Sequence, residues 1–124
     1  MSKFIYGNES YNIIGACMEV HSILGKGHKE IVYGDALKEE FNLRSIPFSR
    51  ELKYQLTYKK VVLPHHYFAD FVVYDKIILE IKAIESISNA HIKQTLNYLA
   101  ASKLKLGLLI NFGEDSLEYK RVIL

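Results

Sequence analysis

Apolar residues recur three or four positions apart in three stretches of the chain, which is the spacing of an amphipathic helix. The first stretch covers residues 9–24, and its repeating positions are Ile13, Ala16, Cys17, Val20 and Leu24. Glycines at 25 and 27 break this pattern, and a second helix is predicted over residues 29–41. Its predicted buried face consists of Val32, Tyr33, Ala36, Leu37 and Phe41. A third helix is predicted over residues 88–103, with Ser88 as its N-cap.

Between the second and third predicted helices the hydrophobic period changes to that of strands. Apolar and polar residues alternate over residues 52–58, which predicts a half-buried strand. A turn follows at residues 58–60, and Pro64 is expected to interrupt the next strand because proline cannot donate a ladder hydrogen bond. The runs 66–74 and 77–83 flank the short polar pair Asp75-Lys76, which indicates a β-hairpin.

The last part of the chain predicts two more strands. Residues 106–112 are almost wholly apolar, which is typical of a strand covered on both faces, and residues 117–123 form the final predicted strand. Helices before and after a set of strands indicate an α/β fold with a central mixed β-sheet flanked by helices.

Composition narrows the class of protein. A chain of 124 residues and 14.3 kDa is the size of one domain, so residues 1–124 are interpreted as a single domain. The chain has 49% hydrophobic and 24% charged residues, which is an ordinary composition for a globular protein. Its single cysteine excludes a disulfide framework. The net charge of +2 permits a polyanionic partner without requiring one. No membrane span or signal peptide is evident, and a cytoplasmic setting is expected.

Charged residues interrupt the apolar runs of the predicted hairpin. Asp70 lies in the first run, and Glu80 and Lys82 lie two positions apart in the second. If the turn has odd length and is centred on Asp75, Asp70 lies opposite Glu80, with Cβ atoms ~5 Å apart. Charged side chains are seldom placed in such surroundings unless they are paired or bind a metal.

Two facing carboxylates repel each other at neutral pH, and a divalent cation relieves that repulsion. Mg²⁺ suits such a pair because it binds one or two carboxylates and keeps positions for water and phosphate. Lys82 is then placed to orient a water molecule or to stabilise charge developing on phosphorus, as metal-assisted phosphodiester hydrolysis requires. The alternative is that Asp70, Glu80 and Lys82 are solvent-facing residues of an edge strand.

The pattern Asp70…Glu80-Ile81-Lys82 resembles the signature of the PD-(D/E)XK nuclease superfamily. Residues 27–33 read Gly-His-Lys-Glu-Ile-Val-Tyr and resemble the motif of the small GxxExxY proteins, with further matching segments at residues 14–21, 96–99 and 107–113. The resemblance covers the chain from about Tyr11 onwards. It implies a restriction-endonuclease-like core with the carboxylates at one end of the sheet.

The resemblance also implies roles for individual residues. Asp70, Glu80 and the backbone carbonyl of Ile81 are the implied ligands of Mg²⁺ (or Mn²⁺), and Lys82 is the implied catalytic residue. Glu30, in the GxxExxY motif, is the implied further acidic ligand.

Two residues on the predicted third helix match positions of RecB-like relatives. Gln94 and Tyr98 are four positions apart and therefore share a helical face, and both are implied site residues. The chain departs from the family at Phe68, where members often carry an arginine.

The expected function is therefore a metal-dependent DNA nuclease of low sequence specificity, with RNA as a further candidate substrate. The small size of the domain also favours action inside a larger complex. A homodimer is a further expectation, because related nucleases are often dimers and the final strand over residues 117–123 could pair with a second copy. The alternative is a non-catalytic module that binds nucleic acid or protein on the same fold, because fold alone does not determine function.

Overall fold

The computed structural model describes residues 5–124, and within them the chain forms three helices and five strands. In chain order these are α1 (Gly7–Leu24), α2 (Glu30–Leu43), β1 (Phe48–Tyr58), β2 (Val61–Val73), β3 (Ile77–Lys82), α3 (Asn89–Ser102), β4 (Leu106–Asn111) and β5 (Glu118–Ile123).

The strands form one mixed sheet in the order β1-β2-β3-β4-β5. The first three strands are an antiparallel meander. Helix α3 then carries the chain across the sheet, so that β4 runs parallel to β3, and β5 returns antiparallel to β4. The predicted α/β class with a central mixed sheet flanked by helices is confirmed.

Each face of the sheet is covered by helices. Helices α1 and α2 pack on one face, in a cluster that includes Tyr33, Phe41, Phe71 and Leu79. Helix α3 packs on the opposite face, around Leu99 and Ile78. Strands β3 and β4 are consequently buried along almost their whole length, as the apolar run at residues 106–112 predicts.

The helices match their predicted ranges to within a few residues. Cys17 is fully buried in α1, as a packed core residue. One assignment within α2 is wrong, because Val32 is 38% exposed whereas its neighbour Tyr33 is fully buried. None of the helices in residues 5–124 has the length and apolar character needed to span a membrane.

The predicted break at Pro64 is wrong, because β2 continues without interruption from Val61 to Val73. Its pairing with β1 shifts register at this point: Gln55 pairs with His66, whereas Thr57 pairs with Val62. Pro64 lies inside this irregular stretch, where the ladder is already disrupted, so the missing N–H of proline costs little.

The predicted hairpin register is confirmed. Phe71 pairs with Leu79, and Val73 pairs with Ile77. The connecting turn occupies residues 74–76 and is therefore of odd length. This register places Asp70 and Glu80 on the same rung, just beyond the last regular pair.

Candidate functional site

Strands β2 and β3 stop forming regular backbone pairs beyond Phe71 and Leu79, and two carboxylates bridge the strands there. The backbone N–H of Asp70 donates a 3.1 Å hydrogen bond to Oε2 of Glu80. The backbone N–H of Ile81 donates a 2.7 Å hydrogen bond to Oδ2 of Asp70. Each side chain thus accepts from the opposite strand, which satisfies N–H groups that the separating backbones leave unpaired.

Glu80 is almost completely buried, with only 5% of its surface exposed. The Tyr67 hydroxyl donates a 2.6 Å hydrogen bond to the same Oε2 atom. Burial, followed by the negative charge of Asp70, raises the pKa of Glu80 to about 7, although the hydrogen bond from Tyr67 and the charge of Lys82 oppose this shift. A carboxyl group poised near neutrality is typical of functional sites.

The pKa of Asp70 is also raised. Burial is the largest cause, and the hydrogen bond from Ile81 acts in the opposite direction. The negative charges of Glu30 and Glu51 raise it further, and the positive charge of Lys82 lowers it. Lys82 therefore influences both Asp70 and Glu80, as the sequence predicts for three side chains at one end of a hairpin.

Asp70 lines a crevice of about 210 Å³ between α2 and the sheet. Its walls are Glu30, Ile31, Gly34, Arg50, Glu51, Asp70, Phe71 and Ile81. Glu30 enters from the first turn of α2, where an acidic side chain is also favoured by the helix dipole. The structure thus brings the motif acid Glu30 and the strand acid Asp70 to the same crevice.

Glu51 is a site residue that sequence reasoning missed. It has φ of 56°, a left-handed conformation that is rare for a residue with a side chain. Consecutive strand residues normally point to opposite faces, yet Arg50 and Glu51 line the same crevice. Nothing in the composition of residues 48–58 signals such a conformation.

The alternation of side chains between the two faces of the sheet is interrupted in β1 and in β2 at the level of Glu51 and Asp70. In β1, Phe48 packs under α1 and α2, whereas Tyr54 packs on the α3 side, although regular alternation would place them on the same face. In β2, Phe71 and Ala69 divide between the two faces in the same way. The switch falls where Glu51 and Asp70 lie, between the regular pairs Arg50–Phe71 and Leu52–Ala69.

Tyr98 lies on the α3 side and reaches the acids through another tyrosine. Its ring stacks on Tyr67 with centroids 3.5 Å apart, and Tyr67 in turn holds Glu80. Tyr54 extends the same stack at 6.0 Å from Tyr67. Gln94 is exposed one turn earlier on α3, and it is not among the residues that line the crevice.

Lys82 ends β3 and is followed by a loop that β4 holds in place. The Asn111 side chain accepts a hydrogen bond from the backbone N–H of Ile84 and donates one to its carbonyl, both at 3.0 Å. Gly113 lies so close that a Cβ atom there would be 2.3 Å from the carbonyl oxygen of Ile84. These contacts explain why an Asn and a Gly occur in the segment of residues 107–113.

The oxygen ligands available at Asp70 and Glu80 suit a small, hard cation that keeps part of its water shell. Among residues 5–124, no group of three or more His, Cys, Asp and Glu side chains is arranged to hold a metal ion. Asp70 and Glu80 form a carboxylate pair, and Mg²⁺ commonly uses one or two protein carboxylates. The Lys82 carbonyl accepts from Phe112 on the β4 side. Because carbonyl directions alternate along a strand, the Ile81 carbonyl is directed towards β2 and the gap.

The chain belongs to the PD-(D/E)XK nuclease superfamily, which it matches over residues 7–122. Divalent metal ions are generally used by nucleases of this superfamily. The fold is similar to that of a solved protein described as "Crystal structure of SSO0001", with a TM-score of 0.52 and 13% sequence identity. The match covers 93% of this chain and 76% of that chain. The comparison with curated proteins found no match.

Proposed function

We propose that the protein is a Mg²⁺- or Mn²⁺-dependent nuclease that hydrolyses DNA phosphodiester bonds with low sequence specificity. The observation that carries this proposal is the meeting of Asp70 and Glu80 across the gap between β2 and β3, with Lys82 two positions beyond Glu80 on β3. Membership of a nuclease superfamily supports the reaction class. DNA as substrate and the identity of the metal are parts of the proposal.

Asp70, Glu80 and the carbonyl of Ile81 would hold the metal ion, and Glu30 would contribute from the other wall of the crevice. When bound, the ion would polarise the phosphate and favour deprotonation of an attacking water molecule. The raised pKa values of Asp70 and Glu80 fit this role, because burial is the largest cause of both shifts and a bound cation would stabilise the buried carboxylates in their charged form.

Lys82 would orient the attacking water and stabilise the negative charge that develops on phosphorus. Tyr98 would act as a positioning residue, since it stacks on the tyrosine that holds Glu80. Gln94 would contact the substrate backbone from the exposed surface of α3.

A second candidate is a non-catalytic module that binds nucleic acid or protein. One observation favours it: Oε2 of Glu80 already accepts hydrogen bonds from Tyr67 and from the Asp70 backbone, so the acid has a structural partner without a metal. Phe68, which stands where relatives often have an arginine, is 56% exposed and would suit an apolar contact.

A calorimetric titration with Mg²⁺ and Mn²⁺ distinguishes the two candidates. The nuclease proposal predicts saturable binding that Glu80→Gln weakens by about tenfold or more, because one charged ligand is lost. Lys105→Gln, a charge change outside the crevice, is the control and is expected to bind metal like the wild type. Absence of saturable metal binding by the folded wild type would favour the binding module.

The GxxExxY subfamily remains part of the proposal, and it is supported by Glu30 lying in the crevice and by Tyr33 stacking on Phe112 at 4.5 Å. We also propose that the protein is a single domain that acts in the cytoplasm, as a homodimer or within a larger complex. The larger complex is supported by the small surface that such a domain offers for reading sequence.

A further inference from the structure

Arg50 is the one cation among the residues that line the crevice, whereas three of those residues are acidic. It lies on β1, paired with Phe71 and one rung from Asp70. Its guanidinium carbon is 5.5 Å from the centroid of the Phe71 ring, a cation–π contact. The side chain therefore lies against the wall of the crevice beside the strand acids.

The position of the guanidinium is determined by α2. Nη1 donates a 2.7 Å hydrogen bond to Oδ1 of Asp35. Nη2 lies against the backbone at Gly34, where an added Cβ atom would be only 2.6 Å away. Any larger residue at position 34 would displace the guanidinium, so the buried glycine makes room for Arg50.

Arg50 retains hydrogen-bonding capacity in this position. Within residues 5–124, its Nη1 has Asp35 as an acceptor, whereas Nε and Nη2 have no protein acceptor. The side chain is 22% exposed, so it is partly shielded from water and accessible from the crevice. A partly buried arginine with free donors in a fixed fork is suited to an oxyanion with two acceptor oxygens.

We propose that Arg50 binds a backbone phosphate of the nucleic acid and guides the strand into the crevice, an inference that rests on the proposed function. The negative charges of Glu30, Glu51 and Asp70 repel an approaching polyanion, and the proposed metal ion and Arg50 would both offset that repulsion. Arg50 acts from β1, on the far side of Asp70 from β3, where Lys82 lies. The substrate strand would therefore run between Arg50 and Lys82, with its phosphates contacted from both sides of the carboxylates.

The test measures the affinity of a fluorescent DNA duplex in Mg²⁺, in a Lys82→Ala background that prevents cutting. Adding Arg50→Gln is expected to weaken binding about tenfold and to lower the salt dependence by about one phosphate contact. Adding Gly34→Ala leaves the charge intact but displaces the guanidinium, and a loss of several-fold is expected. Circular dichroism and Mn²⁺ affinity establish that each variant is folded with its carboxylates in place.

Arg44→Gln is the matched control. Arg44 also pairs with an acid, Glu40, at 2.6 Å, but it lies at the end of α2, outside the crevice lining. Its loss is expected to leave the salt dependence unchanged and the affinity within about twofold of the parent. If Arg44→Gln weakens binding as much as Arg50→Gln, only overall charge matters and the assignment to Arg50 is wrong.

The outcomes separate this inference from the nuclease proposal. Metal-dependent cutting by the wild type, together with unchanged DNA affinity in Arg50→Gln, would overturn the role of Arg50 alone. DNA binding that depends on Arg50, without cutting by the wild type, would support Arg50 and contradict the nuclease. Absence of DNA binding by the folded parent would contradict both.

Discussion

Asp70 and Glu80 are joined by a hydrogen bond from the backbone N–H of Asp70 to Oε2 of Glu80, 3.1 Å long. The bond lies at the rung where β2 and β3 cease regular pairing. A side chain therefore replaces a backbone partner, and the carboxylate is held against the main chain of the other strand. This arrangement keeps two acids together in the fold before any cation is bound, at the cost of placing Glu80 almost out of water.

Glu80→Gln is expected to stabilise the metal-free protein above neutral pH. The pKa of Glu80 is raised from 4.5 to about 7 on folding, so the folded state disfavours the charged form. Relative to Glu80→Gln, the wild type is most stable below pH 4.5 and loses stability as the pH rises through 7. The full difference is about 3 kcal/mol.

Urea unfolding in EDTA, at intervals between pH 4.5 and 8.5, measures this difference. The difference in unfolding free energy between the two proteins should change between pH 4.5 and about 7 and level off above it, with the variant becoming the more stable. A difference that stays constant with pH would show that Glu80 titrates in the folded protein as it does in the unfolded chain.

Tyr67→Phe is expected to cost about 1 to 2 kcal/mol of stability, because it removes a hydrogen bond to a buried carboxylate. Tyr54→Phe is the matched control, since Tyr54 belongs to the same aromatic stack but its hydroxyl has no hydrogen-bond partner in residues 5–124. Urea unfolding of the two variants side by side measures the contribution of the hydroxyl group.

The Tyr67→Phe variant also tests whether the Tyr67 hydroxyl positions Glu80 for catalysis. The hydrogen bond from Tyr67 lowers the pKa of Glu80, so its removal should move the Glu80 titration to higher pH. The acidic limb of the pH profile for cleavage should shift in the same direction. An unchanged profile, with stability alone reduced, would show that Tyr67 has only a packing role.

The hairpin shows how much a sequence can predict. The change from helical to strand period identifies its two arms, and the polar pair at residues 75 and 76 identifies its turn. Because positions 70 and 80 are equally far from residue 75, only a turn of odd length places Asp70 opposite Glu80, and the structure has that register. The α/β class and the facing acids follow from patterning, whereas the restriction-endonuclease-like core is implied by the family resemblance.

Tyr67 and Glu51 show what patterning does not reveal. A tyrosine in a strand is equally consistent with surface packing and with a hydrogen bond to an acid, because its partner is distant in sequence. A left-handed glutamate has no compositional signal, since its strain of about 1 kcal/mol is imposed by the pairing of its neighbours Arg50 and Leu52 with β2, which no local pattern contains. Pro64 misleads for a similar reason, because a register shift accommodates it.

Glu51→Gly is expected to stabilise the protein by roughly 1 kcal/mol, because glycine adopts the left-handed conformation without a steric penalty. It also removes one of the charges that raise the pKa of Asp70. Lys103→Gly is a useful comparison, since Lys103 has φ of 63° at the end of α3, away from the acids.

Thermal unfolding at pH 5 and pH 8 measures both effects. Each glycine variant should have a higher Tm than the wild type, and Glu51→Gly should gain more at pH 8, where the acids are charged. A lower Tm for Glu51→Gly, with Lys103→Gly stabilised, would show that the Glu51 side chain contributes more contact energy than its backbone strain costs.

The most direct measurement of the central claim is cleavage of supercoiled plasmid DNA by the wild type and by Lys82→Ala, in Mg²⁺, in Mn²⁺ and in EDTA. We expect metal-dependent cutting by the wild type and a rate at least about 100-fold lower for Lys82→Ala, because Lys82 stabilises charge in the transition state. Calorimetry should show that the variant still binds the metal. Equal rates for the two folded proteins, or no cutting by the wild type with either metal, would contradict a catalytic site built on Asp70, Glu80 and Lys82.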